Sequence, residues 1–187
     1  MKTTSGPIRI LCVEDNQLVA DALCRKLTGN PDFEWLGWVD SAQALYEKTT
    51  SLTPDVVCMD LNVPGQDVLD MIRQLKSIAP QVRAIILSGH MSAEAVDEAI
   101  DAGAWGYLSK AEDSRVIVDS LRRVAAGEFV LGPLTEGGRN AHRTPPSRAP
   151  ANSSNSGERS NSSDRVEEPK PLRFLRRLFG APGKREG

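Results

Sequence analysis

No apolar run in the 187-residue chain is long enough to cross a bilayer, a task that takes about 20 consecutive apolar residues in a helix. The polar opening "MKTTSGP" lacks the apolar core of a secretion signal, so the cytosol is the expected location. Cysteine is scarce. Cys12, Cys24 and Cys58 are odd in number and two lie inside apolar runs, so they read as small buried hydrophobes rather than bridges or metal ligands. Basic charge is in short supply over the first two thirds of the chain. Through Pro133 there are 12 Lys+Arg against 19 Asp+Glu, a balance of −7; from Leu134 onward 11 face 6, a balance of +5. The overall net charge of −2 therefore conceals two parts of opposite character, and the length suits one domain with an appendage.

What is present in the first part is an alternation. Short apolar runs, "IRILCV" from Ile8, "FEWLGWV" from Phe33, "VVCM" from Val56, "AIIL" from Ala84 and "GYLS" from Gly106, are separated by segments of helical period. Leu18/Val19/Ala22/Leu23/Leu27, Val68/Leu69/Ile72/Leu75, Ala95/Val96/Ala99/Ile100 and Ile117/Leu121/Val124 recur at three- and four-residue intervals, as a buried helix face does. The segment "DSAQALYEKT" fits less well, with Asp40 or Ser41 placed to cap it. Strand-helix alternation five times over implies a doubly wound α/β domain, because parallel strands need crossovers that carry the chain over a sheet face. Ligands in such folds sit at the carboxyl ends of the strands.

The residues at those ends are Glu14 and Asp15 after the first run, Asp60 after the third, Ser88 after the fourth and Lys110 after the fifth. Asp60 closes a run that otherwise reads as buried strand, and a carboxylate there is costly unless it is paired. Three converging carboxylates repel by about 1–4 kcal/mol per close pair at effective dielectrics of ~20–80. A hard divalent cation held by oxygens relieves this, and Mg²⁺ is the natural choice in a cytosol. A carboxylate beside such a cation can act as a nucleophile toward phosphorus, giving an aspartyl phosphate. Lys110 would take a phosphoryl oxygen as a point charge and Ser88 would donate a hydrogen bond to another.

The set "ED" at 14 and 15, "MDLNVPG" with Asp60, "LSG" with Ser88 and "GYLSK" ending in Lys110 resembles the receiver domain of two-component response regulators, over roughly residues 7 to 131. The resemblance implies a flavodoxin-like, five-stranded parallel sheet of order 2-1-3-4-5. It implies that Asp60 accepts a phosphoryl group from a histidine kinase or phosphotransfer protein, with Mg²⁺ held by Glu14, Asp15, Asp60 and the backbone carbonyl of Asn62. Ser88 and Tyr107 would form the switch, the hydroxyl moving toward the phosphate and the ring moving inward. Asn62 and His90 would flank the attacking water and set the lifetime of the phosphorylated state, self-dephosphorylation being the one intrinsic reaction. The stretch from 102 to 133 is similar to the subfamily whose receivers usually precede a helix-turn-helix DNA-binding domain. Here no helix-turn-helix pattern follows, and Ala111 stands where many receivers have proline. A phosphohydrolase is disfavoured, because "MDLN" offers no second acid two residues after the nucleophile. Trp35, Trp38 and Trp105 read as packing residues.

With the receiver assigned to 1–133, residues 134–170, rich in Ser, Asn, Pro, Gly and Arg, read as a disordered linker. Over 171–180, a helical projection gathers Leu172, Phe174, Leu175, Leu178 and Phe179 on one arc and Arg173, Arg176 and Arg177 on the other, with Pro171 and Gly180 at its ends. Residues 181–187 read as a disordered terminus. The basic amphipathic segment predicts docking to a downstream protein groove or an anionic membrane, hence a peripheral position at the inner membrane surface. The acidic receiver is a third candidate surface, and DNA is disfavoured. A phosphorelay intermediate that passes the group to another histidine protein is the alternative function, and a homodimer is left open.

Overall fold

A computed structural model describes residues 6–132. The segments read above as linker (134–170), docking element (171–180) and terminus (181–187) lie outside the described residues.

The chain alternates β1 (Ile8–Val13), α1 (Gln17–Thr28), β2 (Phe33–Val39), α2 (Ala42–Leu52), β3 (Val56–Met59), α3 (Val68–Ile78), β4 (Arg83–Ser88), α4 (Ala93–Ala102), β5 (Gly106–Ser109), α5 (Ser114–Ala126) and β6 (Val130–Leu131). All strand pairs are parallel and the order is β2-β1-β3-β4-β5-β6. The expected five strands stand in the expected order, and a two-residue sixth strand extends the sheet beyond β5. Gly106 makes room for it: a Cβ at that position would stand 2.8 Å from the Val130 carbonyl oxygen.

Successive strand residues feed opposite layers, as the pleat requires. Leu11, Val13, Val57, Met59, Ile86 and Tyr107 join the layer under α2, α3 and α4. Ile10, Cys12, Val56, Cys58, Ile85 and Leu108 join the layer with α1 and α5. Burial on both faces explains why β3 reads as a continuous apolar run rather than an alternation. Trp35, Trp38 and Trp105 are partly buried against the second layer, in their expected packing role.

Four helices begin at caps whose side chains accept a backbone N–H: Asn16 from Leu18, Asp67 from Asp70, Ser92 from Ala95 and Asp113 from Arg115. At α2 the N-cap is Ser41, and its side chain makes no capping bond. One residue of the predicted buried faces is misplaced. Leu18 is 77% exposed on the first turn of α1, while Ala20, Leu23 and Leu27 of the same helix are buried.

Candidate functional site at the carboxyl edge of the sheet

Strand order reverses between β1 and β3, and the residues that follow these two strands are Glu14 and Asp60. The backbone holds them firmly. Glu14 donates its N–H to the Val39 carbonyl at 2.9 Å and Asp60 donates its own to the Val13 carbonyl at 2.8 Å, so both sheet ladders continue one step past their strands. Their side chains are consequently buried, with residue exposures of 3% and 8%. Asp15 is exposed at the mouth. One carboxylate oxygen from each of Glu14, Asp15 and Asp60 lies within 4.8 Å of the others.

Lys110 enters from the turn after β5. Its backbone N–H bonds the Ser88 carbonyl at 2.8 Å, and its Nζ stands 2.6 Å from Glu14 Oε2 and 3.0 Å from Asp60 Oδ2. Partial burial pushes the Lys110 ammonium down, but the hydrogen bonds and negative charges of Glu14 and Asp60 outweigh it and hold the group above the ordinary lysine value. One ammonium pairs with two of the three clustered carboxylates. Beneath them a cavity of about 90 Å³ between the sheet, α1 and α5 is lined by Cys12, Cys58, Leu23, Leu87 and Ile117. Burial pushes the Cys58 thiol up to about 12, and burial, with neighbouring negative charge, raises Cys12 as well. Both are neutral thiols, as their reading as small hydrophobes requires.

Ser88 ends β4 fully buried, and its Oγ accepts the His90 N–H at 3.1 Å. Tyr107, also fully buried, donates its hydroxyl hydrogen to the His90 carbonyl at 2.8 Å. The two expected switch side chains therefore meet on the backbone of one residue, and the Tyr107 ring is already inside. The His90 side chain is exposed, as is Asn62 in the loop after Asp60. Among the predicted site residues, then, Glu14, Asp15, Asp60 and Lys110 converge, Ser88 is tied to Lys110 through its carbonyl, and Asn62 and His90 lie at the rim. Leu172, Arg173, Phe174, Leu175, Arg176, Arg177, Leu178 and Phe179 fall outside the described residues.

Two features escaped the sequence. Leu18 and Val116, the large apolar side chains most exposed among the described residues, stand on the first turns of α1 and α5, the two helices that follow Glu14/Asp15 and Lys110. Gln66, in the loop after Asp60, accepts the Ala42 N–H on its Oε1 at 2.9 Å. Neither has a local signal, since an apolar residue at helical spacing looks buried and a loop glutamine looks solvated.

Comparison with known proteins agrees with this architecture. The family model described as "Response regulator receiver domain" matches residues 10–122, more than half of the chain. The response regulator protein VraR of Staphylococcus aureus is 29% identical over 126 residues, which make up 67% of this chain and 60% of VraR, so the chain spans about 60% of the length of this curated relative. A LuxR-family two-component response regulator from Aurantimonas sp. SI85-9A1 superposes with a TM-score of 0.65 at 26% identity, covering 68% of this chain and 91% of that one. The signal receiver domain of NarL from Mycobacterium tuberculosis gives 0.62 at 25% identity, covering 66% and 99%. With strand order, acidic edge and sequence match in agreement, this chain belongs to the response regulator receiver family.

Proposed function

We propose that Asp60 is the phosphoacceptor, and that a phosphohistidine on a kinase or phosphotransfer protein is the donor. The observation that supports this best is the placement of a nearly buried carboxylate 3.0 Å from an ammonium at the reversal of strand order. An Asp60 oxygen forms the new O–P bond as the P–N bond to the donor imidazole breaks. Lys110 Nζ, held by Glu14, is positioned to follow a phosphoryl oxygen, and Ser88 Oγ exchanges its His90 N–H for a bond to another. That exchange frees the His90 backbone, which also anchors Tyr107. Because the ring is already inward, phosphorylation would shift an existing population rather than create a new state.

The donor set fits a hard dication. Three carboxylate oxygens within 4.8 Å against one ammonium leave an excess of negative charge that all-oxygen coordination would suit. In this reading Glu14, Asp15, Asp60 and the Asn62 carbonyl hold Mg²⁺, which would supply positive charge to the transferring phosphoryl group. Asn62 and His90 tune the lifetime of the acyl phosphate from the rim. The exposed Leu18 and Val116, on the first turns of α1 and α5, which pack on the same face of the sheet, give the donor protein apolar contacts beside the acidic mouth. Output runs through residues 172–179, which take a protein groove or an anionic membrane surface.

The test is intact-mass measurement after incubation with a small acyl phosphate and Mg²⁺. One phosphoryl addition is expected in the native chain and none in Asp60→Asn or in chelator. Absence of any addition, with beryllofluoride also failing to bind, would leave a constitutive binding domain. For the output, affinity for phosphatidylserine vesicles should change on beryllofluoride addition, and equal affinities would remove the membrane reading. Transfer from phosphorylated Asp60 to a histidine protein, independent of 172–179, would favour the relay.

A further inference from the structure

The loop between Asp60 and α3 is short and held at several points. Asp60 is fixed to β1 through its N–H. Val63 is buried at 4% exposure. Pro64 and Gly65 then form a tight turn, with Gly65 at φ +73° and the Gln66 N–H bonded to the Val63 carbonyl at 3.1 Å. That is the pattern of a type II turn, which calls for positive φ at its third residue. Asp67 caps α3. Asn62, exposed, lies between the Asp60 anchor and the turn.

Across the loop stands the start of α2, whose N-cap Ser41 makes no side-chain bond of its own. Gln66 fills that role from 24 residues away, accepting the Ala42 N–H at 2.9 Å. This bond does two things. It satisfies a helix N–H, and it ties the acceptor loop to a second element of the fold.

We infer that Gln66 is a positioning residue for the cation side of the site: by bridging the turn to the N-terminus of α2, it fixes the backbone path through Asn62 and so the direction of the Asn62 carbonyl. The inference rests on the reading of that carbonyl as a Mg²⁺ ligand. The physical reason is the narrowness of the requirement. Mg²⁺ accepts oxygens only near 2.0–2.1 Å in near-octahedral array, so a carbonyl on a loop free to shift by about an ångström loses its bond. Residues that orient ligands from outside typically cost about 10–100-fold in metal affinity when removed.

Helix capping alone would also make Gln66 matter, and the test separates the two roles. Mg²⁺ alone is titrated against the full chain by tryptophan fluorescence or calorimetry, with Tm measured in parallel. Gln66→Leu, which has no acceptor, should weaken Mg²⁺ about tenfold and lower Tm by a few degrees. Gln66→Glu, with an acceptor of the same reach, should restore both. The double variant Gln66→Leu with Ser41→Asp gives α2 a local cap without the bridge; it should recover Tm and leave Mg²⁺ weak. An unchanged Mg²⁺ constant in Gln66→Leu, or its full recovery in the double variant, would make Gln66 a helix cap only. A native chain that binds no Mg²⁺ would remove the parent reading and this one together, and that result is visible before any variant is made.

Discussion

The two ends of the parallel sheet handle charge in opposite ways. At the amino edge, cations are matched. The Arg9 guanidinium bonds Glu34 at 3.0 Å and the Leu52 and Thr53 carbonyls, while its backbone N–H takes Asp55 Oδ2 at 2.9 Å. Arg83 bonds the Ala125 carbonyl at 3.0 Å and lies over Trp105, and Arg122 pairs with Asp32 at 2.8 Å over the Phe33 ring. At the carboxyl edge three carboxylates cluster, and the one ammonium beside them bridges two, Glu14 and Asp60. The first end is arranged for the fold. The second gathers more negative than positive charge, the arrangement on which the Mg²⁺ proposal rests.

The largest effect should come from Asp60→Asn. Phosphoryl uptake should fall below detection, at least 10³-fold, while Tm in chelator rises by a few degrees as one of the repelling carboxylates is neutralised. Uptake lost with no gain in Tm would mean the cluster is not strained. Lys110→Met should do the reverse on stability. Removing the one cation among Glu14 and Asp60 should cost about 3–5 kcal/mol in chelator, with uptake down about 10²–10³-fold. Mg²⁺ should restore part of the lost stability, since a ligand that binds only the folded state stabilises it by mass action; calorimetry with and without chelator measures this.

Much of that carboxyl edge was legible in the sequence, and for a physical reason. In a parallel sheet every strand delivers its last residue to the same side, so Glu14, Asp15, Asp60, Ser88 and Lys110 could be placed together from the alternation alone. What could not be read was whatever depends on contacts between distant segments. Strand β6 is two residues long and has no period to detect; it exists because Gly106 lets the Val130 backbone approach. Leu18 fits the helical spacing of a buried face yet is exposed. Gln66 caps a helix that begins 24 residues earlier, where the sequence offered Asp40 or Ser41.

Alkaline pH should erode both core layers on which the two ends rest, by an intermediate amount. Burial pushes Cys58 from 9.0 to about 12, and burial, followed by the charge of Asp70, pushes Tyr46 from 10.0 to about 12. The folded chain keeps protons that the unfolded chain loses, so stability is intact below about pH 9 and falls as pH rises toward 12, by about 1.4 kcal/mol per unit for each fully responding group. The raised Lys110 acts in the same direction above 10.5, its ion pairs being lost as pH passes its folded value. Thermal melts from pH 7 to 11 should show the decline, and Cys58→Ala should flatten it. An identical slope in the variant would assign the decline elsewhere.

The smallest effect is expected where the pairing looks most complete. Arg122 and Asp32 are close, at 2.8 Å, yet their side chains are 41% and 52% exposed, and exposed pairs are screened by water and salt to about 0–1 kcal/mol. Arg122 also covers the Phe33 ring at 5.7 Å, so its aliphatic stem and cation–π contact should outlast the loss of the acid. Asp32→Asn should therefore cost less than Arg122→Ala, and neither should change phosphoryl uptake by more than about twofold. Denaturant melts and uptake rates on both variants check this. A large loss of uptake from either would show that the amino edge speaks to the site, and the separation of the two ends would fail.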